Sequence, residues 1–173
     1  VNQTYSTDIG FAKLGVSGNF NYTFRSQFQA SPTSINRECV GYFSPNCSFT
    51  GSIQPKWQSS LRTTLGFESF DISLLWRHID GVIQEPLNAA APSAANGFAG
   101  DGSPFFAPFR QIRAYDYFDL TGRFNILDNI TLIATVSNLF DTKPPLVGSE
   151  AGTTSFNSGN TFPSTYDALG RRY

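Results

Sequence analysis

Three features of the sequence predict an all-β chain: antiparallel, up-and-down strands forming a segment of a transmembrane β-barrel rather than a domain closed on its own. Apolar and polar residues alternate with a period of two over long runs. Tight turns and long connections between those runs follow one another strictly, and one face of every run excludes charge. Composition agrees, because only 14% of the 173 residues are charged, against about 25% in an ordinary soluble domain. The 12 Lys plus Arg and 13 Asp plus Glu leave a net charge of -1, which supplies no basic field for nucleic acid. No apolar run approaches the roughly 18 residues of a membrane helix, and no stretch keeps a 3.6 period. The apolar residues are not distributed like those of a globular core, and no targeting segment is visible at the start. With no Met at all, the chain is expected to be a piece of something longer.

The first run sets Leu14, Val16, Gly18, Phe20, Tyr22 and Phe24, with Phe28 beyond, against Gly15, Ser17, Asn19, Asn21, Thr23 and Arg25. Cys39 and Cys47 follow in a Ser-, Pro- and Asn-rich segment. They read as a local disulfide in an oxidising compartment or as two free thiols. After Pro55, Trp57, Ser59, Leu61, Thr63, Leu65 and Phe67 oppose Lys56, Gln58, Ser60, Arg62, Thr64 and Glu68. Only Glu68 and Ser69 separate this run from Phe70, Ile72, Leu74 and Trp76, which oppose Asp71, Ser73, Leu75 and Arg77. A two-residue connection that returns Phe67 and Phe70 to one face is what a tight hairpin requires.

A second hairpin starts with Phe118, Leu120, Gly122 and Phe124 opposing Tyr117, Asp119, Thr121, Arg123 and Asn125. It turns over 127–129 and returns with Ile130, Leu132, Ala134 and Val136 opposing Thr131, Ile133, Thr135 and Ser137. Every proline lies outside these runs or at the threshold of one, as strands paired on both sides demand. The long connections, of about 26, 34 and 25 residues, exceed the roughly 15 that compact domains rarely pass. On a meander, strict alternation puts all long loops at one end, as in outer-membrane barrels.

A soluble barrel would carry charge on its outer face. Here Lys56, Arg62, Asp71, Arg77, Asp119 and Arg123 all share the face opposite the aromatics, so the apolar face is read as meeting lipid, where a mid-bilayer charge costs roughly 2–4 kcal/mol. Tyr22, Phe24, Trp57, Phe67, Phe70, Trp76, Tyr117 and Phe124 fall near run ends. They read as interfacial girdles, the alternative being half-buried aromatics of an ordinary sheet.

Several segments resemble a known family. The stretch Tyr115-Asp116-Tyr117-Phe118-Asp119-Leu120-Thr121-Gly122-Arg123-Phe124-Asn125-Ile126, then Asn138-Leu139-Phe140-Asp141, Pro144-Pro145 and Tyr166-Asp167-Ala168-Leu169-Gly170-Arg171-Arg172-Tyr173, is similar to the C-terminal end of TonB-dependent outer-membrane receptors. Cys39 to Cys47 followed by Pro55-Lys56-Trp57 resembles the loop-to-strand passage of many members. The resemblance implies that residues 1–173 form about the last five to six strands of a 22-stranded barrel in the outer membrane of a Gram-negative bacterium. It implies as partners the outer-membrane lipid, the protein's own N-terminal plug domain and, through that plug, a TonB-type energy-coupling protein. Plug and coupling segment are expected outside this sequence. A final strand beginning at Gly170 stops at Tyr173, where family members continue to a terminal aromatic.

The function so implied is import of a scarce ligand: an iron-siderophore, a cobalamin-like cofactor or an oligosaccharide. A passive porin-like barrel and a surface-binding β-protein are the alternatives. In the connection from Asp80 to Arg113, Phe105, Phe106, Phe109 and Arg110 are candidate ligand contacts, with packing inside the loop an equal reading of the Phe residues. Arg110 and Arg113 suit an anionic ligand, although Asp116 is close enough in sequence to pair with Arg113. Asp71, Arg77, Asp119 and Arg123 are expected to form lumenal ion pairs or to contact the plug. His78, on the aromatic parity, reads as an interface residue. Two cysteines and one His make no zinc set, no cofactor is implied, and no catalytic constellation emerges, so an enzyme is not expected. The Asn-x-Ser/Thr triplets at Asn2, Asn21, Asn46 and Asn129 read as chance.

Overall fold

A computed structural model describes residues 1–34, 36–44, 47–48, 52–85, 109–127, 129–147 and 160–173. In chain order its strands are β1 (Asn2–Asp8), β2 (Lys13–Tyr22), β3 (Gln27–Phe28), β4 (Arg37–Glu38), β5 (Tyr42–Phe43), β6 (Trp57–Gly66), β7 (Phe70–Ile79), β8 (Val82–Gln84), β9 (Gln111–Ile112), β10 (Tyr115–Leu127) and β11 (Ile130–Val136). The long strands make one six-stranded sheet in the order β1-β2-β6-β7-β10-β11, antiparallel throughout. The sheet is open, and no helix is long and apolar enough to cross a membrane.

Register unites the faces that each run shows separately. Tyr5, Val16, Thr63, Leu74, Leu120 and Val136 lie in one row across all six strands. The neighbouring row runs through Thr4, Ser17, Arg62, Leu75 and Asp119 and points to the other side. Because side chains alternate strictly, a one-residue slip in any pairing would move a charged row onto the apolar face.

Tight turns close one end of the sheet. Phe67 N–H donates to the Phe70 carbonyl at 2.8 Å, and the two rings stack with centroids 4.5 Å apart. Between β10 and β11, Leu127 pairs with Ile130 and the register shifts between Asn125 and Leu127. The turn is therefore one residue shorter than the alternation suggests, a β-bulge at Ile126 absorbing the difference. β1 has no counterpart in the sequence reading. Its one large apolar side chain, Tyr5, provides too little contrast to reveal a period of two. Gly10, at φ 89, turns the chain from β1 into β2, with its N–H on Asp8 Oδ1 at 2.7 Å.

At the opposite end the long connections fold into a cap. A small sheet, β5-β8-β9, pairs β5 with β8 in parallel and β8 with β9 antiparallel. Beneath it Phe43, Ile53, Val82, Ile112, Tyr115, Tyr117, Val147, Phe162 and Tyr166 form a buried cluster. A globular core is thus present, contrary to the distribution inferred from sequence. It is assembled from isolated apolar residues of three connections together with Tyr115 and Tyr117 at the start of β10, each fully buried Phe or Val contributing about 1.5–3 kcal/mol. Past β11, Ser137 and Arg172 form an isolated antiparallel bridge, exchanging backbone hydrogen bonds of 2.9 and 3.1 Å, and the final strand expected from Gly170 is not formed among the described residues.

Candidate functional site

Three surfaces bear on function: the apolar wall, the polar face behind it, and the cap. On the wall, aromatics gather at two levels. At the turn end Phe11, Phe67, Phe70 and Phe124 follow one another with ring centroids 4.5–6.5 Å apart. At the cap end Phe20 and Tyr22 each face Trp57, at 6.1 and 6.3 Å, and Phe118 meets Phe140 edge-on at 5.4 Å. From Phe70 to His78 a strand rises about 26 Å, which a barrel tilt reduces to about 20 Å, close to the height of an apolar membrane band. Two glycines are roofed by the ring two residues on: a Cβ at Gly18 would lie 2.7 Å from Phe20, and one at Gly122 2.8 Å from Phe124. The rings keep the wall apolar where no side chain covers the backbone.

His78 stands at the upper level, where Asp116 Oδ1 accepts from the Trp76 indole at 2.7 Å and lies 2.8 Å from His78 Nδ1. Asp116 thus pairs with His78, its register partner, and not with Arg113. Arg113 lies outside the strand and stacks over Tyr115 at 5.5 Å. Tyr117 is likewise not a girdle residue. Its parity is that of Asp119, so it points into the cap core and is fully buried, with the Arg77 guanidinium 5.3 Å from its ring.

On the polar face Arg77 grips Asp119 with two nitrogens, at 3.1 and 3.2 Å. The same carboxylate accepts the Asn138 N–H at 2.8 Å. Asp71 and Arg123 are register partners near the turn end, with no ion pair joining them among the described residues. Arg62 Nη1 donates to Ser73 Oγ at 3.1 Å, and Ser73 also meets Thr64 at 3.0 Å.

In the cap, Arg37 and Glu85 form an ion pair of 2.9 Å with side chains 10% and 8% exposed, tying the first long connection to the second. Cys39 and Cys47 are bridged, with Cα atoms 5.2 Å apart and a separation of 8 residues. Reduction is expected to destabilise this loop by about 2–3 kcal/mol in the chain-entropy model. Limited proteolysis with and without reductant checks this, and equal cleavage rates would refute it.

Glu38 Oε1 accepts the N–H groups of Ser26 and Val40 at 2.9 and 3.1 Å. The Ser26 hydrogen bond, opposed by desolvation, holds the carboxyl below its ordinary 4.5. A depressed pKa stabilises above the unfolded value and loses that stabilisation as pH falls through the folded one. The Ser26 and Val40 amide resonances are therefore expected to move together below pH 4.5, and a Glu38→Gln variant should show no such transition. Burial pushes the Tyr166 phenol well above its usual range, so it stays neutral within the cap core. Phe109 is half-buried and Arg110 exposed, the Arg110 carbonyl accepting from Gln84 N–H at 2.8 Å. Phe105 and Phe106 lie outside the described residues.

No family model matches the chain, and no curated protein matches it significantly. Among solved structures it is similar to crystal structures of variants of the ferric enterobactin receptor PfeA from Pseudomonas aeruginosa. Two of these match with a TM-score of 0.55 at 15% identity over 98% of this chain. A third, in complex with enterobactin, matches with a TM-score of 0.53 at 16% identity over 98% of this chain. The likeness shows the fold, part of an antiparallel β-barrel. In each match the chain spans 20% of the receptor's length, so the six-stranded sheet corresponds to a portion of such a barrel.

Sequence reasoning did not find the pairing of Arg37 with Glu85. The two residues are 48 positions apart in segments without periodicity, and no local pattern joins them. Asn138 is different, because Asn followed by Leu, Phe and Asp is visible in the sequence. Asn138 takes φ 53 and binds Thr142 through both side-chain atoms, at 3.0 and 2.8 Å, closing the end of β11. Asn tolerates that left-handed conformation better than most residues.

Proposed function

We propose that residues 1–173 are the C-terminal part of a TonB-dependent receptor barrel in a Gram-negative outer membrane. Such a receptor imports a scarce ligand, an iron-siderophore, a cobalamin-like cofactor or an oligosaccharide, with energy relayed through an N-terminal plug. The observation that carries this reading is the similarity to a siderophore-receptor barrel along 98% of the chain. Two physical arguments support it. A wall that carries no charge between its two aromatic levels, with Asp116 held at the cap end beside Trp76 and His78, suits lipid. A sheet with unpaired edge groups is not tolerated in hydrocarbon, so further strands must close it. The cap then lies at the outer mouth, where Phe105, Phe106, Phe109 and Arg110 are the proposed ligand contacts. Arg77 and Asp119 stiffen the lumen wall that the plug would face.

The test is uptake by cells carrying the complete natural polypeptide. Labelled ferric chelate, cobalamin-like cofactor and oligosaccharide are each supplied with and without a protonophore. Saturable uptake of one of them, abolished by the protonophore, is expected. Non-saturable, protonophore-insensitive entry of small solutes would support a passive porin instead. Recovery of the protein in buffer without detergent would favour a surface-binding β-protein.

A further inference from the structure

We infer that Arg62 is the docking point for a carboxylate on a segment that inserts into the lumen from outside the six-stranded sheet. The inference rests on the receptor reading, since a lumen holding only water would solvate the guanidinium.

The charges of the polar face sort by height. Asp8, Lys13, Asp71 and Arg123 lie near the tight turns, where water is at hand. At mid-height stand Arg62, Arg77 and Asp119, and Arg77 and Asp119 satisfy each other. Arg62 has Ser17 and Leu75 as its register partners and gives a single hydrogen bond, to the Ser73 hydroxyl. A guanidinium carries five N–H donors, so most of its capacity is directed at no group of this chain among the described residues.

Arg62 also borders an open groove of about 580 Å³ on this face. Thr4, Ser17, Asn19, Ser60 and Arg77 line it beside Arg62, and no acidic residue is among the lining groups. Amides and hydroxyls suit a polypeptide backbone, and the unmatched cation calls for an anion. Enclosing an unpaired charge in a filled lumen is unfavourable, so the inserted segment must bring the carboxylate. A planar fork of donors fits a carboxylate in two-point contact.

The test uses the complete natural polypeptide in its membrane. An Arg62→Lys variant, which keeps the charge, is treated with a water-soluble carbodiimide, which joins an amine to a touching carboxylate as an amide. Peptide mapping is expected to find position 62 linked to an Asp or Glu outside residues 1–173. No link at 62 while other Lys–carboxylate pairs in the same sample are joined would overturn the inference, as would a link to an acid within 1–173. Arg62→Glu, which sets like charges together, is expected to raise passive conductance in planar bilayers by at least about tenfold. Unchanged conductance would also overturn it. If the wild-type protein shows no energised uptake yet the Arg62→Lys variant gives the link, the receptor reading fails and the docking stands. If uptake is energised and the link is absent, the docking alone fails.

Discussion

Glu85→Ala is expected to loosen the cap by about 3–5 kcal/mol, the range for removing one partner of a buried ion pair. Arg37 and Glu85 are each about nine-tenths buried, so truncating Glu85 removes a carboxylate from the side of a largely buried cation. The loss should fall toward the lower end, because Glu85 Oε2 has no hydrogen-bond partner among the described residues. Amide exchange reads the effect directly. Ile83 N–H donates to Gly41 and Glu85 N–H to Phe43, each at 3.0 Å. Protection at these amides should fall by about 100-fold or more, since each 1.36 kcal/mol is a factor of ten. Amides between β6 and β7 should keep their protection. A paired Arg37→Met, Glu85→Leu variant should recover most of the loss, because a well-packed apolar pair replaces a buried ion pair at little cost. Wild-type protection in Glu85→Ala would show that the hydrophobic cluster alone holds the two connections together.

That experiment concerns a part of the molecule that the sequence hides, and the reason is physical. A strand is legible when its two faces differ over several residues. β2, β6, β7, β10 and β11 meet that condition, so their existence, faces and hairpins follow from alternation alone. β1 does not, because Asn2 to Asp8 sets Tyr5 among small polar side chains. The cap strands β5, β8 and β9 are two or three residues long and hold no period at all. Their pairing joins segments distant in sequence, and parallel pairing of β5 with β8 leaves no hairpin signature. The site divides in the same way. Arg77 and Asp119 are visible as lumenal charges by parity, whereas their diagonal contact depends on the register between β7 and β10. Tyr117 shows how aromatic type misleads when parity is ignored: its position opposite Arg77 puts it on the polar side, where the cap buries it.

Parity itself is open to direct measurement. Leu120 lies in the row with Leu74 and Val136, between the aromatic levels marked by Phe118 and Phe124. Leu120→Arg in the complete barrel is expected to cost roughly 2–4 kcal/mol, as a charge on the lipid face near mid-bilayer does. Thr121→Arg, one residue on, should change stability by less than about 1 kcal/mol, because lumen substitutions escape the hydrocarbon penalty. Thr121 meets Thr135 through its hydroxyl at 3.2 Å and is the same-face neighbour of Arg123 toward the tight turns, the end of the lumen where water is at hand. Equilibrium unfolding in lipid vesicles compares the two variants under one set of conditions. Hydrophobicity lost at position 120 would on its own give a similar deficit for Leu120→Gln. The Arg variant must therefore be less stable than the Gln variant for the wall to be lipid-facing. Equal stability of Leu120→Arg and Leu120→Gln, or a larger cost at Thr121, would place water on the aromatic face and remove the membrane assignment with it.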